Sequence, residues 1–216
     1  MCFYTIVLFY EISALLADEP EGHPKCYKGV IKFRHPNNRA FYEYWCKLPK
    51  TGILPDRNSF MPEEIPSLLS TMVVYELVSQ DFIRIRLIGS TVEERFGGHR
   101  TGSNYLDFVE EHRKDAASAA FWSQAKNNCG MHAVLAQELV SGRIAHIEVV
   151  GLPVSNVEGE HPVLFFQSNE IAYDSDERQV KESLEFDDKG DGLLKYIRVV
   201  ERSYFDLGLG VPQFRD

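Results

Sequence analysis

The chain has 216 residues, of which 44% are hydrophobic, 12% aromatic and 25% charged, a balance that fits one folded domain with attached terminal segments and excludes disordered or collagen-like chains. Against 23 Lys and Arg stand 32 Asp and Glu, a formal charge of −9. That excess argues against nucleic acid or an anionic membrane as partner, because both need a basic surface. It is also local, since residues 170–191 hold 3 basic and 9 acidic side chains, and like charges this dense read as a solvated linker or exposed helix.

Met1 to Ala17 is apolar, yet no Lys or Arg precedes the apolar run, Glu11 interrupts it, and its length of about 17 residues is at the bottom of the range for a bilayer span. We expect a helix that buries its apolar side on the domain or on a second copy, giving a homodimer built there or on the outer sheet face. Asp18 to Asn38 reads as a connector with at most a short strand at Val30 to Phe33. The expected division is an N-terminal helix and linker (1–38), a domain (39–172), and an acidic linker with a C-terminal helix and tail (173–216). Cys2, Cys26, Cys46 and Cys129 form no C-x-x-C pair. They read as single thiols in a reduced, cytoplasmic setting.

Phe41, Tyr44, Trp45 and Leu48 fall at i, i+3, i+4 and i+7, which predicts a helix over Arg39 to Leu48. Lys50 to Asn58 is a loop, and Pro62 to Ser70 opens with Pro and two acids, the start of a short helix. The period then changes to two. Thr71 to Val78 and Phe82 to Ile88, where Ile83, Ile85 and Leu87 alternate with Arg84 and Arg86, predict an antiparallel hairpin. Helical pieces follow at Thr91 to Phe96 and Asn104 to Val109, with a longer helix over Glu111 to Lys126 that Gly130 would cap.

Three apolar runs, His132 to Val140, Arg143 to Pro153 and Pro162 to Ser168, predict a meander. If Ser141 and Gly142 form a two-residue turn, paired residue numbers sum to 283 and His132 faces Gly151. His132, Val134, Ala136, Ala145, Ile147 and Val149 would then share the interior face, while His146 and Glu148 lie on the other. The class is α+β: five antiparallel strands with helices gathered on one face.

The residues themselves carry a more specific signal. Tyr44, Trp45 and Leu48 are followed by Leu54-Pro55-Asp56-Arg57, Ile65-Pro66-Ser67-Leu68-Leu69 and Arg86-Leu87-Ile88-Gly89-Ser90-Thr91. Glu94-Arg95-Phe96-Gly97 and Thr101-Gly102 come next, and the tail holds Tyr204-Phe205-Asp206-Leu207-Gly208 and Gly210-Val211-Pro212. In this order they resemble the PAS domains, among them the short bacterial proteins that consist of little more than one such domain. The resemblance covers residues 39–172 and the tail. It implies a five-stranded antiparallel sheet whose helices enclose a pocket used to sense a small molecule or to bind a protein.

Tested against family subtypes, a photochemical flavin site is disfavoured because no Cys lies between Val92 and Phe108. A haem site needs an axial ligand in an apolar pocket. Only His132 projects from the expected interior face, as a ligand, a pocket hydrogen-bonding group or, the leading reading, a satisfied structural histidine. Candidate pocket residues are therefore Arg95, Phe96, Tyr105, Phe121, Trp122, His132, Val134 and Ile147, with no metal assigned. For the aromatics the alternative is core packing, and for Arg95 it is a local structural contact.

No pairing of nucleophile and base, no converging carboxylates and no phosphate-binding glycine pattern mark an enzyme. Two functions stand: a sensory module that binds a small molecule and signals to a regulatory protein partner, or a constitutive dimerisation module whose pocket is filled by side chains.

Overall fold

In a computed structural model, which describes residues 31–50, 52–138, 144–157, 159–172 and 197–208, the aromatic stripe forms helix α1 (Pro36–Lys47). His35 caps it, its Nδ1 accepting from the Asn37 N–H at 3.1 Å, and Pro36 occupies a first-turn position where its missing N–H costs nothing. Phe41 and Trp45 are fully buried, and the Trp45 indole donates to the Pro153 carbonyl at 3.0 Å. The predicted helix at Pro62 to Ser70 is two 3-10 turns, Pro62–Glu64 and Pro66–Thr71.

Strands β1 (Met72–Ser79) and β2 (Phe82–Ile88) pair antiparallel as the alternation predicts. Helix α2 (Ser90–Arg95), short 3-10 turns at Tyr105–Phe108 and Glu111–Arg113, and helix α3 (Lys114–Asn127) follow. Asn128, in the left-handed region at φ 47, ends α3 in place of the expected Gly130. Gly130 instead opens a strand at a point where a Cβ would stand 2.1 Å from the Phe205 ring. Strands β3 (Gly130–Glu138), β4 (Ile144–Val154) and β5 (Val163–Ile171) make the meander.

The α+β class with an antiparallel sheet stands, with two corrections. Residues Ile197–Phe205, expected in a C-terminal helix and tail, form a sixth strand, β6, and the sheet order is β2-β1-β5-β4-β3-β6. The helices do not gather on one face: α2 and α3 cover one, while α1 packs on the other through Phe41 and Trp45 against Leu152 and Phe165.

The β3–β4 register also differs from the expected one by a residue. Met131 pairs with Gly151 and His132 with Val150, so paired numbers sum to 282. A slip of one residue turns one strand's side chains over relative to the other. Ala145, Ile147 and Val149 do face α2 and α3, but their partners on β3 are Gln137, Leu135 and Ala133. His132, Val134 and Ala136 share the α1 face with Glu148 and His146 instead.

Among the described residues no helix is long and apolar enough to cross a membrane. Cys129 is a buried free thiol and Cys46 is disulfide-bonded, so the expectation of four single cysteines fails at Cys46. The apolar residues 1–17 and the acidic stretch 173–196 lie outside the described residues.

Candidate functional site

Between the sheet and helices α2 and α3 lies a cavity of about 50 Å³, room for about four water molecules. Its walls come from every strand except β2, from both helices and from the 3-10 turn at Tyr105. Tyr75 is the hub. Its ring stands edge-on to Tyr105, Phe121 and Phe166, with centroids 5.2–5.3 Å apart, while Phe121 and Phe166 stack at 5.4 Å. Edge-to-face contacts of this kind set positive ring edges against negative faces. Phe166 can lie across β4 only because residue 151 is glycine, where a Cβ would meet the ring at 2.3 Å.

Few polar groups interrupt these walls. Arg95 at the end of α2 is buried, and its Nη2 donates to the Ser168 carbonyl at 2.8 Å and the Ser168 hydroxyl at 2.9 Å. Burial pushes its guanidinium down to about 10, against the opposing pull of Glu170 and Tyr75, so Arg95 stays charged at neutral pH. Among the described residues its Nε is buried without a partner, as is Oε1 of Gln137 on the cavity wall. Burial raises the Tyr75 phenol well above its ordinary value and pushes Tyr105 up to about 12, which keeps both neutral. Arg202, from β6, is an exposed residue that also lines the cavity.

Of the eight candidate residues, Phe96, Tyr105 and Phe121 line this space. Trp122 packs against the same core but turns its indole to the Ser79 carbonyl at 3.2 Å. Ile147 is buried on the same face behind the wall, and Arg95 stands behind Ser168. His132 and Val134 do not belong to the pocket: the register places both on the α1 face, which removes His132 as an axial haem ligand there. Sequence reasoning missed Tyr75, Phe166, Ser168 and Gln137, whose alternation within their strands was a usable signal. It also missed Ile197, Val199 and Arg202, which the unexpected sixth strand supplies.

On the α1 face His132 has a different task. Its Nε2 is 2.7 Å from Oε1 of Glu148, a carboxylate with no solvent exposure. The Arg34 N–H donates to the same oxygen at 2.7 Å, while the His35 N–H and Asn38 Nδ2 donate to Oε2 at 2.7 and 2.8 Å. Burial alone would raise this carboxyl, but the bonds from His132, Arg34, His35 and Asn38 outweigh it and hold the group at about 2. Asn169 donates to Asn38 Oδ1 at 2.8 Å and extends the network to β5. Glu148 thus fastens the entry of α1 to the middle of the sheet. Among the described residues no three His, Cys, Asp or Glu side chains converge as a metal site would require.

A sequence model of the PAS domain matches residues 33–165, more than half of the chain. No curated protein matches the chain. Solved structures similar to it include a light-oxygen-voltage domain studied with a flavin analogue, at 11% identity over 56% of this chain and 91% of that one, with a TM-score of 0.41. Another is the PAS domain of BvgS from Bordetella pertussis, at 15% identity over 60% and 97% of the two chains, TM-score 0.35. VqmA from Vibrio cholerae matches at 15% identity over 52% of each chain, TM-score 0.36.

Proposed function

This chain belongs to the PAS domain family, and from that premise we propose that it is a sensory or regulatory module, not an enzyme, that binds a small molecule between its sheet and helices α2 and α3. The observation that carries this reading is the cavity itself, apolar and aromatic with a few placed polar groups, which is the make-up of a ligand site. Occupancy would be passed to a regulatory protein partner, with the chain as a homodimer, through the elements that flank the cavity. Strand β6 suits that role because it lines the cavity and follows the acidic segment directly.

A second reading is favoured by the small free volume: the side chains fill most of the pocket, and the domain works as a constitutive dimerisation module. A thermal-shift screen of the full chain against metabolites separates the two, because a ligand that binds only the folded state must raise the melting temperature. A dose-dependent rise with at least one compound supports sensing. No rise across the screen, together with native mass spectrometry showing only the bare chain mass, favours the constitutive module.

A further inference from the structure

We propose that the ligand of this pocket is a small monocarboxylic acid, held by its carboxylate at Arg202 and by its apolar body among Tyr105, Phe121 and Ala133. The inference rests on the sensory reading above and names the chemical class the site would take.

The cavity wall contains no Asp or Glu, although the chain carries a net charge of −9. Several other surface arginines are neutralised: Arg34, Arg84, Arg86 and Arg113 each meet a glutamate oxygen at 2.8 to 3.2 Å. The Arg202 guanidinium has no hydrogen bond or ion pair among the described residues. It sits on β6 opposite Ala133 and lines the cavity while remaining exposed, so it stands at a mouth. Its acidic neighbour Glu201 projects to the other face, where it binds Arg34 at 2.8 Å.

An unpaired guanidinium at the rim of an apolar cavity suits a group that brings a negative charge and an oily body together, and its planar fork matches a carboxylate with two parallel bonds. A second cation, the buried Arg95, adds positive potential from behind Ser168, which takes its Nη2. Size narrows the class further. Space for about four waters corresponds to roughly five or six non-hydrogen atoms, which is the apolar body of a short-chain aliphatic or single-ring aromatic acid whose carboxylate stays at the mouth. Gln137 lies four residues along β3 from Ala133, about 13 Å away, so an acid of this size seated on Arg202 does not reach it.

The test is isothermal titration of the full chain with benzoate and hexanoate, and with benzyl alcohol and hexanol as neutral counterparts. The acids are expected to bind about tenfold more tightly than the alcohols, as a hydrogen-bonded charged group allows, with affinity falling as salt is raised. Arg202→Gln should weaken the acids about tenfold and leave the alcohols within about twofold, and Arg202→Lys should restore part of the loss. Alcohol binding by the variants shows that the pocket is still folded. Alcohols that bind as well as acids, or acids indifferent to Arg202→Gln, would overturn the carboxylate and leave the sensory pocket standing. If neither class binds, the proposal falls and the pocket reading is weakened with it.

Discussion

On the α1 face of the sheet the buried Glu148 carboxylate meets four donors within 2.8 Å, whereas on the α2–α3 face Gln137 Oε1 on the cavity wall and Arg95 Nε behind it are buried without partners among the described residues. Both faces are largely apolar, so burial alone does not distinguish them. The distinction lies at the centre of each face: Gln167 Oε1 on the α1 face is also buried without a partner among the described residues, but the Glu148 carboxylate there is fully answered. A satisfied buried network specifies one arrangement, and empty space beside a less completely answered wall leaves room for a guest. The α1 face therefore reads as a mount that holds the N-terminal entry in place, and the other face is the one we propose responds.

The comparison breaks most sharply at Glu148. Glu148→Ala strands the Arg34 and His35 amides, Asn38 and His132 together, and we expect a loss of about 4 kcal/mol in denaturant unfolding. A loss below about 1 kcal/mol would mean that water replaces the carboxylate and that the mount is not tight.

Acid gives a second, slightly smaller effect. The Glu148 carboxyl is depressed in the fold, so its contribution is fully present above the ordinary value of 4.5 and is lost as the pH falls toward about 2. The linkage amounts to about 3 kcal/mol. Glu148→Gln should flatten the fall in stability across that window, and an unchanged pH profile would show that other carboxylates govern it.

A pair of small-to-large substitutions sharpens the contrast further. Gly130→Ala drives a Cβ into the Phe205 ring of the α1 face and should cost about 2 kcal/mol by overpacking. Ala133→Val adds its two methyls toward the cavity and should change stability by no more than about 0.5 kcal/mol. Equal costs at the two positions would mean that both faces are packed alike.

Much of this architecture was legible in the sequence, and the failures have identifiable causes. The stripe of Phe41, Tyr44, Trp45 and Leu48 and the alternation in Phe82 to Ile88 state which side is wet, so α1 and β2 were readable. Strand β3 does not: Met131, Ala133 and Leu135 are apolar, and so are Val134 and Ala136. A strand buried on both faces has no parity to read, and the register then hung on a guessed turn length at residues 141–142. The usable cue was Glu148 itself. A carboxylate in the apolar run Ile147 to Val150 needs partners when buried, and placing His132 on its face yields the observed parity, with His132 opposite Val150 and diagonal to Glu148. Ile197 to Phe205, rich in β-branched and aromatic residues, also carried a strand signal, which the expectation of a five-stranded sheet overrode. Arg202 could not be assigned to the pocket without that strand.

The most direct test of the division into a fixed and a responsive face is a set of amide NMR spectra of the full chain titrated with benzoate and with benzyl alcohol. The account predicts that shifts concentrate at Ala133, Phe121, Phe166 and Arg202 while Arg34, His35 and Asn38 stay in place. Shifts centred on the Glu148 network, or none at the cavity with either probe, would contradict it.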